Sequence, residues 1–353
     1  MTQRIRPESI RLESTTHCQL RCPSCPTAKG VIKERIGNGF LKFDDFRRLI
    51  DENPHVTHVE LSNWGELFLN PDLLEMMEYA YQESVELTAS NGTNLNTVSP
   101  QVLEGLVKFK FRHMTCSIDG ASQQTYEKYR VRGDFDQVIR NIETINRHKK
   151  EFRSKFPVLR WQFIAFDHNA HEIQAARELA RRLGMHFFLK LSWDEGLAPS
   201  ANQEIARLET PGGVVNEREF SEENETGYLQ RSICGQLWRE PQVNWDGEVL
   251  GCCVNTWQSF GNVFDSTLLE TLQNERMTYA RRMLMGRVEP RDDIACTTCD
   301  HYKAMAARAD WLTPDPVDNS FKARLTRLLG RKGVWLTNRS RRLARWQRKF
   351  DGA

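Results

Sequence analysis

No stretch of the chain approaches the ~18 consecutive apolar residues that a membrane-crossing helix needs, which excludes a helical transmembrane protein. The opening segment, MTQRIRPESIRLE, lacks the apolar core of a secretory signal. Internal repeats and low-complexity blocks are missing apart from a basic bias near the end, so solenoid and linker-like architectures are excluded. An excess of one charge is missing too, with 49 basic against 47 acidic side chains. The nine cysteines are clustered and odd in number, with no export signal beside them. That pattern argues against a disulfide framework and for reduced thiols in a cytosol, where clustered cysteines bind metal or do chemistry.

What is present divides sharply. Between Ser320 and Ala353 there are eleven Lys or Arg against one acid, which leaves 38 basic and 46 acidic residues in the rest. The body is acidic and the end is basic. A length of 353 residues suggests roughly two domains.

The body alternates strand and helix patterns. Strands are predicted at Ile10 to Ser14, Thr57 to Leu61, Val85 to Ala89, His113 to Ile118, Leu159 to Ala165 and His186 to Leu191. Helical patterns lie between them, near Lys42 to Asp51, Pro71 to Glu83, from Pro100, at Phe135 to Arg147 and at Glu172 to Leu183; Asn91-Gly92 reads as a turn. Such spacing implies parallel strands with helices outside: an α/β fold, an open or closed barrel whose reactive face carries the strand-to-helix loops. From Asp194 to Gln230 the composition turns polar. A second unit begins near Cys234, where Asp246-Gly247 signals a hairpin, followed by one helix near Thr267 to Met285 and then Cys296 and Cys299.

The first cysteine set carries the chemistry. Cys18, Cys22 and Cys25 form CxxxCxxC in the loop after the first strand. Three thiolates can hold three irons of a cubane and leave the fourth iron open, whereas structural zinc usually takes four protein ligands. On these residues the chain resembles the radical S-adenosylmethionine (SAM) superfamily, over most of residues 8 to 300. The resemblance implies a partial (β/α)6 barrel, a 4Fe–4S cluster whose free iron is chelated by SAM, and reductive cleavage of SAM to a 5′-deoxyadenosyl radical. It also implies an electron donor of the flavodoxin or ferredoxin type.

Further loops match that family in order. Asn63-Trp64-Gly65-Glu66 resembles the motif that meets the SAM amino group, with Trp64 in place of its first glycine. Ser90-Asn91-Gly92-Thr93 is similar to the family's TNG turn. Ser117-Ile118-Asp119-Gly120 resembles its SxDG motif, and Arg130 could pair with the SAM carboxylate. Gln162 and Asn169 fall where the family contacts the nucleoside. The resemblance therefore implies SAM contacts at Gly65, Glu66, Asn91, Ser117, Asp119, Arg130 and Gln162.

Cys234, Cys252, Cys296 and Cys299 supply four thiolates, enough to close a second cubane. Their arrangement resembles the twitch or SPASM subdomain, and with no cysteine after Cys299 one auxiliary cluster is expected. Cys253 could replace Cys252; on an extended strand the two point to opposite sides, so only one should serve. Cys116 reads as a core residue. The implied organisation is a barrel over 8–195, a linker or insertion over 196–233, an auxiliary-cluster domain over 234–312 and a basic amphipathic end over 313–353.

A closed cluster cannot bind substrate without losing a thiolate, so electron transfer is its natural role. The expected function is oxidation or rearrangement of a small carbohydrate-like or aminocyclitol substrate; the cysteine spacing is similar to that of dehydrogenases oxidising a ring alcohol. Peptide maturation is the alternative within the family. It is disfavoured by the early position of Cys18, which leaves no room for a preceding peptide-binding domain. A zinc-stabilised nucleic-acid-binding module is the alternative of another class. No acid or base is assigned: Lys190, Trp193 and Asp194, at the end of the sixth strand, read as barrel-end polar and packing residues. Phe321, Leu325, Leu328 and Leu329 share one helical face, and Leu343, Trp346 and Phe350 another. This basic amphipathic end could lie on an anionic membrane, contact nucleic acid phosphates or dock on the acidic body. The first would place the protein at the inner membrane surface and make a lipid-linked sugar a candidate substrate.

Overall fold

The computed structural model describes residues 5–194, 213–224 and 227–313, together with Arg207 and Thr210. The basic end from Ser320 lies outside the described residues. Among those described, no helix is long and apolar enough to cross a membrane.

Six strands follow in chain order: β1 (Ser9–Leu12), β2 (His58–Glu60), β3 (Glu86–Thr93), β4 (His113–Ser117), β5 (Val158–Ile164) and β6 (His186–Lys190). A seventh, β7 (Gln242–Val243), comes from the C-terminal unit and pairs with β1, giving the order β6-β5-β4-β3-β2-β1-β7. Every pairing is parallel and the sheet does not close on itself. The crossovers carry α1 (Val31–Ile36), α2 (Phe43–Glu52), α3 (Leu73–Gln82), α4 (Pro100–Lys108), α5 (Gln123–Tyr129), α6 (Phe135–Glu151) and α7 (Ile173–Arg182). Their starts follow local capping chemistry. Ser99 accepts from Val102 N ahead of Pro100, and Asp134 accepts from Gln137 N, which satisfies helix donors that have no internal partner.

The strands alternate in character, and the alternation sets the two faces of the sheet. Ile10, Leu12, Val59, Met114, Trp161 and Phe163 are buried in the main hydrophobic core, with the helices. The opposite, concave face is polar. Arg11, Glu60, Thr88 and His113 are matched in register across four strands, and Ser117, Gln162 and Phe188 across three nearer the loops. Lys190 pairs with Ile164 one step further along.

Two expectations change. Asn91-Gly92 is not a turn but part of a longer β3, whose register to β4 shifts between Ala89 and Thr93. Gly92 has φ +130, so it absorbs the irregularity at little cost. The helix expected over Thr267 to Met285 is two, α11 (Leu268–Gln273) and α12 (Glu275–Leu284), after the short α8 (Glu217–Asn224), α9 (Gln230–Cys234) and α10 (Gln236–Arg239). Asn274, extended at ψ 168, breaks the run and caps α12 by accepting from Met277 N. A last helix, α13 (Asp300–Ala307), begins immediately after Cys299.

Candidate active site

The loop after β1 is held on both sides before it reaches its cysteines. Thr15 and Phe40 form a single β-bridge, and Gly39 and Gly37 carbonyls accept from Thr15 Oγ1 and Thr16 Oγ1. Cys18, Cys22 and Cys25 then gather around Leu20, Tyr129 and Phe166, a small apolar cluster separate from the main core. Two side chains aim N–H groups at these sulfurs at 3.8 Å: Arg130 Nη1 at Cys22 and Asn94 Nδ2 at Cys18. Such donors favour thiolate over thiol. Burial acts the other way and pushes the Cys18 thiol up to about 12. It also raises Cys22, despite Arg130. These sulfurs would therefore ionise on binding a cation, as ligands of a metal cluster do.

The NWGE loop lies against this one. Gly65 is packed so tightly that an added Cβ would fall 1.9 Å from Thr15 O, so only glycine fits. Trp64, in place of a glycine, creates no such conflict. Its N–H and that of Gly65 donate to Glu13, and its ring turns away onto Ile32, Ile36 and Leu250. Glu66 is buried, its N–H donating to His17 O and its carboxylate accepting from Phe68 N and Asn94 N. Burial pushes both Glu13 and Glu66 up to about 7.

The remaining residues singled out by sequence fall on the neighbouring loops. Ser117 Oγ lies under Gly92, where a Cβ would come within 2.5 Å of it, and Gln162 Nε2 lies beside the same point. Asn91 Nδ2 donates to Asn63 O and Oδ1. Asp119 is wholly buried and accepts from Arg130 Nε at 2.7 Å and from Ile164 N. Burial opposes the Arg130 charge, and Asp119 with Cys22 more than restores it, so its pKa rises well above the ordinary value. Asn169, wholly buried, is a loop brace: it accepts from Phe166 N and donates to Asp119 O and Ile164 O.

Four of the C-terminal cysteines meet at one pocket. Cys234, Cys252, Cys296 and Cys299 line it, with apolar walls that include Leu237, Leu250 and Phe260. Cys253 does not line it; its sulfur lies in the field of Arg11 and Lys190 on the barrel side. Burial raises all four pocket thiols, Cys234 to about 12. Among the described residues no three His, Cys, Asp or Glu side chains converge closely enough for a single metal ion. Four cysteines lining one pocket supply the thiolates that a multi-iron cluster takes. Cys116 is buried in the main core.

The comparisons with known proteins agree with this geometry. The radical SAM superfamily model matches residues 12–159, and an iron–sulfur cluster-binding domain model, SPASM, matches residues 234–300. Residues 12–159 are a radical SAM domain. The radical SAM domain binds SAM and a 4Fe–4S cluster, and the SPASM domain binds auxiliary iron–sulfur clusters. The AdoMet-dependent heme synthase of Methanosarcina barkeri is 28% identical over 181 residues, 50% of this chain and 48% of that protein. The mycofactocin maturase MftC of Mycolicibacterium smegmatis is 27% identical over 142 residues, 40% of this chain and 34% of that one. Each match spans less than half of its relative. Among solved structures, Streptococcus suis SuiB bound to S-adenosylmethionine shares the fold at a TM-score of 0.59 and 14% identity. That likeness covers 84% of this chain and 72% of SuiB.

Sequence reading missed several residues of this radical SAM site. Glu13 and Arg11 alternate with Ile10 and Leu12, so period two could have placed them on the concave face. Arg11 donates to Gln242, Glu240 and Ser62 O, fastening the C-terminal segment to the barrel. Burial alone would raise Glu60, but Arg11 and donors from Ser62, Thr88 and Ser90 hold its pKa below the ordinary value. Asn94 carried no motif. Of the barrel-end residues, Trp193 is 54% exposed, Asp194 N donates to Ser192 Oγ, and Lys190 lies by register on the same face of the sheet as Gln162.

Proposed function

We propose that the protein is a radical SAM oxidoreductase with one catalytic and one closed auxiliary 4Fe–4S cluster, acting on a small carbohydrate-like or aminocyclitol substrate. The observation that supports this is the pocket shared by Cys234, Cys252, Cys296 and Cys299, with Cys253 outside it. Four thiolates saturate a cubane, which suits it to passing electrons and not to binding substrate. When bound, SAM and the two clusters supply a 5′-deoxyadenosyl radical and a one-electron acceptor.

The chain's own residues do the rest. Cys18, Cys22 and Cys25 would hold the first cluster, with Asn94 and Arg130 donating to its sulfurs. Gly65, Glu66, Asn91, Ser117, Asp119, Arg130 and Gln162 would form the SAM cradle. Within it Arg130 uses one N–H on Asp119 and one on Cys22, and its others remain to meet a carboxylate. The polar concave face would orient a substrate rich in hydroxyl groups, and the apolar ring around Cys22 would exclude water.

Peptide maturation is the second reading, favoured by the match to a maturase. Anaerobic reconstitution followed by reduction tests both. The protein should bind about eight irons and release 5′-deoxyadenosine from SAM, with either dithionite or a flavodoxin-type donor. Deuterium transfer from labelled sugars and aminocyclitols supports the first reading, and transfer from a labelled peptide the second. A colourless protein that retains zinc and leaves SAM intact would end both.

A further inference from the structure

We propose that Lys190 and Glu217 form a split-charge anchor for substrate, which binds a small molecule carrying an ammonium group beside an oxygen acceptor. The inference rests on the reading that the barrel cavity holds the substrate.

The argument begins at the end of β6. Lys190 shares the concave face with Gln162 and Ser117, by register through β5 and β4. Past β6, Ser192 forms a parallel bridge with Asn216, and Glu217 N donates to Ser192 O at 3.0 Å. This return segment sets the first residue of α8 beside the strand end. Tyr228 is also close, its hydroxyl bonded to the backbone of Leu191 and lying in the field of Glu217.

The Lys190 and Glu217 side chains sense each other's charge but make no hydrogen bond or ion pair, with each other or with any other described residue. The other groups near Lys190 are Cys253, whose thiolate form would favour the ammonium, Arg130, which repels it, and Asp119, which is bonded to Arg130. Burial lowers the Lys190 pKa and raises that of Glu217, and each group's charge offsets only part of the other's shift. Ordinary structural ion pairs close that gap. A gap left open is complementary to a ligand that brings both halves, an acceptor for the Lys190 ammonium and a donor for the Glu217 carboxylate. Amino sugars and aminocyclitols have this chemistry, and so do free amino acids.

Lys190 acylation tests the anchor directly. Reconstituted holoprotein with SAM is treated with a lysine-acylating ester, and modification of Lys190 is read by peptide mass spectrometry. Glucosamine and L-serine are the probes, each compared with its N-acetyl form, and glucose serves as a probe without an amine. Protection by glucosamine alone assigns amino sugars, protection by serine alone assigns amino acids, and protection by both establishes the shared chemistry. Glu217→Gln should weaken protection about tenfold, the value of one charge-assisted hydrogen bond, and Glu217→Asp should retain most of it. No protection, or equal protection by the N-acetyl forms or glucose, overturns the anchor. SAM cleavage by the same wild-type samples separates the two ideas: if SAM is cleaved and Lys190 stays unprotected, only the anchor falls.

Discussion

Gly65→Ala is the sharpest perturbation of the SAM loop. Its Cβ would lie 1.9 Å from Thr15 O, 2.6 Å from Thr15 C and 3.0 Å from His17 O. These are backbone atoms, so no side-chain rotation relieves the conflict and the two loops must separate. Separation strains the Glu66 N–His17 O bond of 2.7 Å and the Gly65 N–Glu13 bond of 3.2 Å. Overpacking costs about 1–3 kcal/mol, and two weakened hydrogen bonds add about 1–3 more. A loss of roughly 3 kcal/mol is expected, or on the order of 6–12 °C in melting temperature for a domain of this size. Gly184→Ala is the control: φ is +66 but nothing lies within 4 Å, so it costs only about 1–2 kcal/mol of left-handed strain. Because Thr15 and His17 lead directly into Cys18, iron at the first site should fall while auxiliary iron stays, leaving about four irons per chain. Circular dichroism melts and iron analysis on anaerobically prepared protein read both effects. Full iron loading with a melt no lower than that of Gly184→Ala would refute the packing argument.

Other expectations concern single side chains. Cys252→Ser should remove the auxiliary iron, whereas Cys253→Ser should leave both iron contents intact; iron analysis and low-temperature EPR distinguish them, and the reverse result would exchange the two roles. Arg130→Met leaves Asp119 buried and uncompensated, for a loss of about 3–5 kcal/mol in urea melts; a variant as stable as wild type would show that the pair contributes little. Glu13 is held near 7 by burial, above its unfolded value, so the folded protein binds the proton more tightly. Its contribution is complete below about pH 4.5 and is lost as pH rises toward about 7. Stability relative to Glu13→Gln should therefore decline across that window, and a difference that grows with pH would contradict the assignment.

The order of strands and the two cysteine sets were legible because both are written in local pattern. Each of the six barrel strands lies within two residues of its expected start, since period-two burial and flanking turn residues set strand positions. Asn91-Gly92 misled because the same dipeptide serves a turn and a bulge, and only pairing with β4 decides between them. The break at Asn274 was hidden inside a continuous apolar pattern, which a side-chain cap interrupted without changing the periodicity. Glu13, Asn94 and Glu217 escaped for another reason. Each acts on a partner distant in sequence, 51 residues from Glu13 to Trp64 and 76 from Asn94 to Cys18. Cys252 and Cys253 are ambiguous in sequence because they are adjacent; in the fold Cys252 lines the pocket and Cys253 does not.

The pairing of β7 with β1 bears on how such proteins can be rebuilt. The segment that approaches the auxiliary pocket first lends the barrel its seventh strand, and Arg11 grips it through Glu240 and Gln242. Cutting the chain ahead of Cys234 to exchange the rear half would strip a strand from the front half and leave Arg11 without Glu240 and Gln242. A chimera must keep 240–243 matched to the barrel while Cys234 and Leu237, which precede that strand, stay matched to the auxiliary pocket. Modularity here runs along sheet edges and not along the order of the chain.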